Sequence, residues 1–174
     1  GDMVVEGNMF LGWGDEMNRA AQMDIANPKV NGRVYVRNNT FIPQAGTSPN
    51  GKVHRRNLQV KNYSSVDSDV FITSNTFHVL AKGVLLSNAQ RANIIDNTFK
   101  AIADSALLIE INNKNYSSSH ATQALLGGLP TNSVVIQGNT FDGNGFADVT
   151  ALEFRDHTQQ TTIVADGPIY LTTA

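Results

Sequence analysis

Glu110, Glu153, Asp156 and His157 are the residues whose types and spacing could carry acid–base chemistry in this chain. They lie in or just after two segments that align without gaps, Ile109-Glu110-Ile111-Asn112-Asn113 and Leu152-Glu153-Phe154-Arg155-Asp156. Apolar residues hold the first and third places, so on a strand the second and fourth places share the opposite face. If the segments are neighbouring strands in that alignment, Glu110 stands beside Glu153 and Asn112 beside Arg155, at the strand spacing of ~4.8 Å. Two carboxyls about 5 to 5.5 Å apart serve a retaining glycosidase, and about 6.5 to 9.5 Å an inverting one, one acid being kept protonated by its neighbour's charge. Glu110, Glu153, Asp156 and His157 are therefore the candidate acid, base and nucleophile. The plainer reading is that charged residues on an open strand face keep it from pairing with other chains. A lone His beside a corner Asp is, in the same way, commonly a hydrogen-bonded surface group.

Three further segments share the pattern: Met23-Asp24-Ile25-Ala26-Asn27, Leu58-Gln59-Val60-Lys61-Asn62 and Val84-Leu85-Leu86-Ser87-Asn88. Down the five segments the second place reads Asp24, Gln59, Leu85, Glu110, Glu153, and the fourth Ala26, Lys61, Ser87, Asn112, Arg155. Asp24, Lys61, Asn112 and Arg155 become candidate substrate contacts. The fifth place is Asn four times and Asp once, which suits a corner in the left-handed region. Trp13 and Tyr116 stand between such segments and could stack on sugar rings, or simply pack under their loops. Long loops over residues 42–56 and about 114–131 flank a short third unit, which puts a groove over Leu85 and Ser87.

The elements that must position these residues are set by a second repeat. Asn8-Met9-Phe10, Asn39-Thr40-Phe41, Asn75-Thr76-Phe77, Asn97-Thr98-Phe99 and Asn139-Thr140-Phe141 each end a short aliphatic run. Five and three residues before the Asn stand Met3/Val5, Val34/Val36, Val70/Ile72, Ala92/Ile94 and Val134/Ile136, an alternation that buries one strand face. The Phe residues should stack, and a buried Asn amide should bond to the units above and below. With no helical periodicity between the repeats, each unit is a coil of at least two strands, beginning near residues 3, 34, 70, 92 and 134. Residues 158–174 lack the Asn-x-Phe ending, so they read as a cap or a partial sixth coil.

The V-x-V-x-x-N-T-F pattern resembles the right-handed parallel β-helix of the pectate-lyase-like superfamily from Met3 to about His157. The resemblance implies an all-β solenoid of about five coils, one domain over residues 1–174, cut from a longer β-helix. Ala81-Lys82-Gly83-Val84-Leu85-Leu86, Ile95-Asp96-Asn97-Thr98-Phe99 and Ala106-Leu107-Leu108-Ile109 are similar to repeats of bacterial β-helix glycosidases of the α-1,3-galactosidase type. That similarity implies a carbohydrate-active protein, a glycoside hydrolase before a polysaccharide lyase, secreted, periplasmic or on the cell surface. A noncatalytic glycan-binding or adhesin domain is the alternative from another class. A trimeric tailspike-like module is a third, drawn from an outward apolar stripe of Val4, Tyr35, Phe71 and Val135, broken by Asn93.

Composition narrows the partners. With 41% hydrophobic and 16% charged residues, a net charge of −2 and no Cys, one core is expected and nothing calls for nucleic acid. No apolar run is long enough to span a bilayer as a helix, so no membrane partner is expected. The expected partner is a glycan, with a preceding domain or a second copy covering the first coil. No resident metal or organic cofactor is expected; calcium is left open because Asp67, Asp69 and Asp15-Glu16 are carboxylate-rich. Gly46–Lys52 has phosphate-loop spacing, but Val53 replaces the Ser or Thr that would hold magnesium. The basic run Lys52–Arg56 could edge a groove for an acidic sugar or be a solvated loop.

Overall fold

A computed structural model describes residues 1–12, 21–26, 32–44, 56–61, 69–87, 91–100, 105–111, 133–143, 150–156 and 169–171. The chain winds through three strands per coil, one more than the two that the sequence pattern required. The first coil is β1 (Met3–Glu6), β2 (Met9–Gly12) and β3 (Ala21–Ala26); the second is β4 (Arg33–Arg37), β5 (Thr40–Pro43) and β6 (Arg56–Lys61). The third is β7 (Asp69–Thr73), β8 (Thr76–His78) and β9 (Lys82–Ser87), and the fourth β10 (Arg91–Ile95), β11 (Thr98–Lys100) and β12 (Ser105–Ile111). The fifth is β13 (Ser133–Gln137), β14 (Thr140–Phe141) and β15 (Thr150–Asp156), and β16 (Ile169–Leu171) follows.

Strands of equal place in the coil pair in parallel, giving three sheets ordered β1-β4-β7-β10-β13-β16, β2-β5-β8-β11-β14 and β3-β6-β9-β12-β15. The described residues are all-β and form a parallel solenoid of about five coils. β16 lies in register on β13, Val134 opposite Ile169, and so begins a sixth turn of the first sheet. Among the described residues no helix is long and apolar enough to cross a membrane.

The Asn-x-Phe repeat works at the corner between the first and second sheets. In every coil the residue before the Asn lies in the left-handed region: Gly7, Asn38, Ser74, Asp96 and Gly138, with φ from 54° to 68°. That single residue turns the chain, so the aliphatic strand and the Phe strand are separate elements. The left-handed corner expected at the fifth place of the other segments falls on Asn27, Asn62, Asn88 and Asn113, which lie outside the described residues.

Each turned Asn then points inward and bonds vertically. Asn75 Oδ1 accepts from the backbone N–H of Asn39 at 3.0 Å and from its side-chain amide at 3.1 Å. Asn75 Nδ2 donates to the Val36 carbonyl at 2.8 Å and to Asn97 Oδ1 at 3.0 Å. The same pattern links Asn8 to Asn39 and Asn97 to Asn139. Corner groups that a bend strips of ladder partners are in this way satisfied by a side chain, as burial demands.

Beside the Asn ladder runs the Phe stack. Ring centroids lie 4.6, 4.8, 5.0 and 5.2 Å apart from Phe10 through Phe41, Phe77 and Phe99 to Phe141. Phe41, Phe77 and Phe99 are fully buried and pack with Val36, Ile72, Leu58, Leu86 and Leu107 from the other two sheets. Full burial of each ring contributes roughly 1.5 to 3 kcal/mol before any stacking term.

Core space is tight where β9 meets this stack. A Cβ at Gly83 would lie 2.4 Å from the Ala106 carbonyl oxygen and 3.0 Å from the Phe99 ring. Backbone cannot yield as a flexible side-chain end can, so Gly83→Ala is expected to destabilise by about 1 to 3 kcal/mol, read as a lower urea midpoint.

The outer face of the first sheet carries the expected stripe in register: Val4, Tyr35, Phe71, Asn93 and Val135. Tyr35 and Phe71 stack at 5.0 Å. Charged neighbours line it, with Asp69 paired to Arg91 and Glu6 to Arg37 at 2.9 Å. The Arg37 hydrogen bond lowers the Glu6 pKa from 4.5. Because the folded value is the lower one, the pair helps above the unfolded value and its help fades as pH falls through the folded one. The pair is exposed, so that help is slight.

Candidate functional site

The outer face of the third sheet holds most of the chemistry-bearing residues, and its register differs from the one expected. Leu107 pairs with both Val84 and Leu152, so Leu108 stands opposite Leu85 and Glu153, and Glu110 opposite Ser87 and Arg155. Glu110 and Glu153 are therefore not direct neighbours. The second place down the coils reads Asp24, Gln59, Leu85, Leu108, Glu153, and the fourth Ala26, Lys61, Ser87, Glu110, Arg155.

The two-residue slide has a physical cause. Leu107, Ile109 and Ile111 keep an apolar residue on the inner face in either alignment, so alternation cannot tell a shift of two from none. The connection decides instead. Residues 79–81 join β8 to β9 and 101–104 join β11 to β12, and the Val79 N–H bonds the Lys100 carbonyl at the end of β11 at 2.9 Å. A corner of nearly equal length starts β12 level with β9, where the expected alignment needed two residues more.

At the lower coils the face carries a polar network. Gln59 is fully buried although it points away from the core that holds Leu58 and Val60. Its Nε2 donates to Asp24 Oδ2 at 3.1 Å, and its Oε1 accepts from the Arg56 guanidinium. Asp24 itself is exposed. One coil higher, Leu85 keeps only 3% of its surface although Val84 and Leu86 are the residues that face the core. The outer face is covered at that level, so the groove expected to run over Leu85 is not open there.

Gln22 and Asn57 form a corner ladder between the second and third sheets. Gln22 Nε2 donates to the carbonyls of Phe10 at 3.1 Å and Gly12 at 3.2 Å. Asn57 Nδ2 donates to Gln22 Oε1 at 2.8 Å and to the His78 carbonyl at 3.1 Å. Sequence reasoning missed Gln22 and Asn57, which stand just ahead of the five-residue segments, and placed Arg56 only in a basic run. The signal was a buried-strand start that is polar in coils one and two, where coils three and four have Gly83 and Ala106.

At the upper coils the register sets Glu110 opposite Arg155 and Leu108 opposite Glu153. Asp156 pairs with Ile111 and by alternation falls on the column of Leu152 and Phe154, away from Glu153 and Arg155. Lys61 stands in the column of Glu110 and Arg155, with Ser87 between it and Glu110. Trp13, Asn112, Tyr116 and His157 lie outside the described residues, as do Asp15, Glu16 and Asp67. Asp69 is paired with Arg91. Among the described residues no three His, Cys, Asp or Glu side chains converge as a metal site.

Comparisons with protein-family models, curated proteins and solved structures find no match to this chain.

Proposed function

We propose that the chain is part of a carbohydrate-active right-handed parallel β-helix of the pectate-lyase-like kind, acting outside the cell as a glycoside hydrolase. The observation that carries this reading is the pairing of Glu110 with Arg155. Glu110 lies one strand over and two residues along from Glu153, a diagonal for which residue spacing is roughly 7 to 8 Å. Side chains on such a diagonal can hold their carboxyls at the ~6.5 to 9.5 Å that an inverting mechanism requires.

Roles follow from the neighbours. Glu110, opposite Arg155, is assigned the base that activates water, and Glu153, opposite Leu108, the general acid. Arg155 and Lys61 would contact sugar oxygens or an acidic substituent, with Asp24 at the lower end of the face. Trp13, Tyr116 and Asn112 are kept as substrate contacts, and His157 as a secondary acid–base candidate.

A polysaccharide lyase is the second reading, in which Arg155, the register partner of Glu110, would serve as the base. A structural trimer is the third, favoured by the outer stripe of the first sheet. The test is a polysaccharide panel read separately for reducing ends and for unsaturated products. Glu110→Gln and Glu153→Gln are each expected to cut hydrolysis by about 100-fold or more while leaving the urea midpoint in place. Unchanged cleavage of a confirmed substrate removes the assignment, unsaturated products favour the lyase, and a sedimenting monomer counts against the trimer.

A further inference from the structure

Along one flank of the Tyr35 and Phe71 stripe on the first sheet, charge alternates coil by coil. Arg33 is the strand partner of Asp69, and Asp69 that of Arg91, while Asp2 lies below Arg33 and accepts its backbone N–H at 3.1 Å. From the first coil to the fourth this flank reads acid, base, acid, base. The other flank carries charge only at its foot, with Glu6 and Arg37 followed by Thr73 and Ile95. Between the flanks Val4 is 54% exposed, and Tyr35, Phe71 and Asn93 are half-buried. The stacked rings of Tyr35 and Phe71 stand in the second and third coils, at the middle of the alternating run.

We propose that this face binds the same face of a second copy, in reversed coil order, about a twofold axis running along the strands between the second and third coils. Such an axis lays each flank on its own counterpart, so coil one meets coil four and coil two meets coil three. Arg33 then faces the partner's Asp69 and Asp69 the partner's Arg33, with Asp2 and Arg91 matched in the same way at the ends. Tyr35 meets the partner's Phe71 and Phe71 the partner's Tyr35, which puts four rings at the centre, where binding energy concentrates. On the other flank Glu6 and Arg37 meet uncharged Ile95 and Thr73. Two sheets packed with their strands aligned, ~10 Å apart, are an ordinary arrangement. The alternation also fixes the level of the axis. Centred on the second coil it opposes Asp2 to Asp69, and on the third Arg33 to Arg91, each a like-charge contact. Moved a whole coil down or up, it sets Tyr35 on Val4 or Phe71 on Asn93 and loses the ring cluster. Parallel solenoid axes, as in the trimeric reading, lay one flank on the other at equal level, with Asp2 on Glu6 and Arg33 on Arg37.

Sedimentation equilibrium on the 174-residue chain tests the proposal. The contact is small, so a dimer with a dissociation constant in the micromolar range is expected. Arg33→Asp or Asp69→Arg alone sets like charges against each other at both symmetric contacts, and each is expected to weaken association at least about tenfold. An equimolar mixture of the two variants restores opposite charges at both contacts and is expected to recover the parent association to within about threefold. Should either charge variant fail to fold, Tyr35→Ser removes one ring from the cluster and no charge, and is expected to weaken the dimer at least about tenfold. The proposal is overturned by a chain that stays monomeric to about 200 μM, by a trimer, by a charge variant or Tyr35→Ser that associates as the parent does, or by a mixture that recovers nothing.

Discussion

Phe77→Ala is expected to lower the free energy of unfolding by about 3 to 5 kcal/mol, measured by urea denaturation. Phe77 is fully buried and lies mid-stack, 4.8 Å from Phe41 and 5.0 Å from Phe99. Truncation leaves a ring-sized cavity bounded by backbone that the strand ladders hold at fixed spacing, so the walls cannot collapse inward cheaply. The loss is vertical as well as local, since both neighbouring rings lose a face. Phe141→Ala, at the partly exposed end of the stack, should cost clearly less. Equal costs at the two positions would show that the rings do not form one continuous stack.

Asn75→Ala is expected to cost about 3 to 5 kcal/mol by the same measurement. The amide bonds the Asn39 backbone N–H, the Asn39 side chain, the Val36 carbonyl and Asn97 Oδ1. Alanine strands the Asn39 N–H in the interior and takes a second donor from the Val36 carbonyl and from Asn97 Oδ1. A stranded buried group costs about 1 to 3 kcal/mol, and the lost amide adds a cavity. Asn8→Ala, at the exposed foot of the ladder, leaves solvated groups behind and should cost much less. The difference between the two positions distinguishes a working ladder from a set of independent polar contacts.

These two rows were legible in the sequence because their signal is chemical and repeated. Asn followed two residues later by Phe can be read without knowing loop lengths, and the columns Val36/Ile72/Ile94 and Phe41/Phe77/Phe99 came out as expected. The third sheet was legible only in part. Its segments were found, but the place of β12 was not, because Leu107-Leu108-Ile109-Glu110-Ile111 offers two registers of equal inner-face quality. Asn112-Asn113 also imitated the polar ending of the other segments. The split of one strand into two escaped for a different reason. The turning residue is Gly, Asn, Ser or Asp in different coils, and only its backbone angle is shared. Polar corner residues such as Gln22 and Asn57 were invisible because their partners are carbonyls, which leave no mark on a sequence.

The site reading depends on β12 standing two residues away from where alternation alone would put it. Absence of native Cys allows a direct check by paired substitution. In the Glu110→Cys/Arg155→Cys chain the two positions are strand partners, at a spacing within the ~4.4 to 6.8 Å Cα range of a disulfide. Mild oxidation should cross-link that pair readily and leave Glu110→Cys/Glu153→Cys largely reduced. Cross-linking of 110 to 153 in preference to 110 to 155 would contradict the register, and with it the diagonal carboxyl pair.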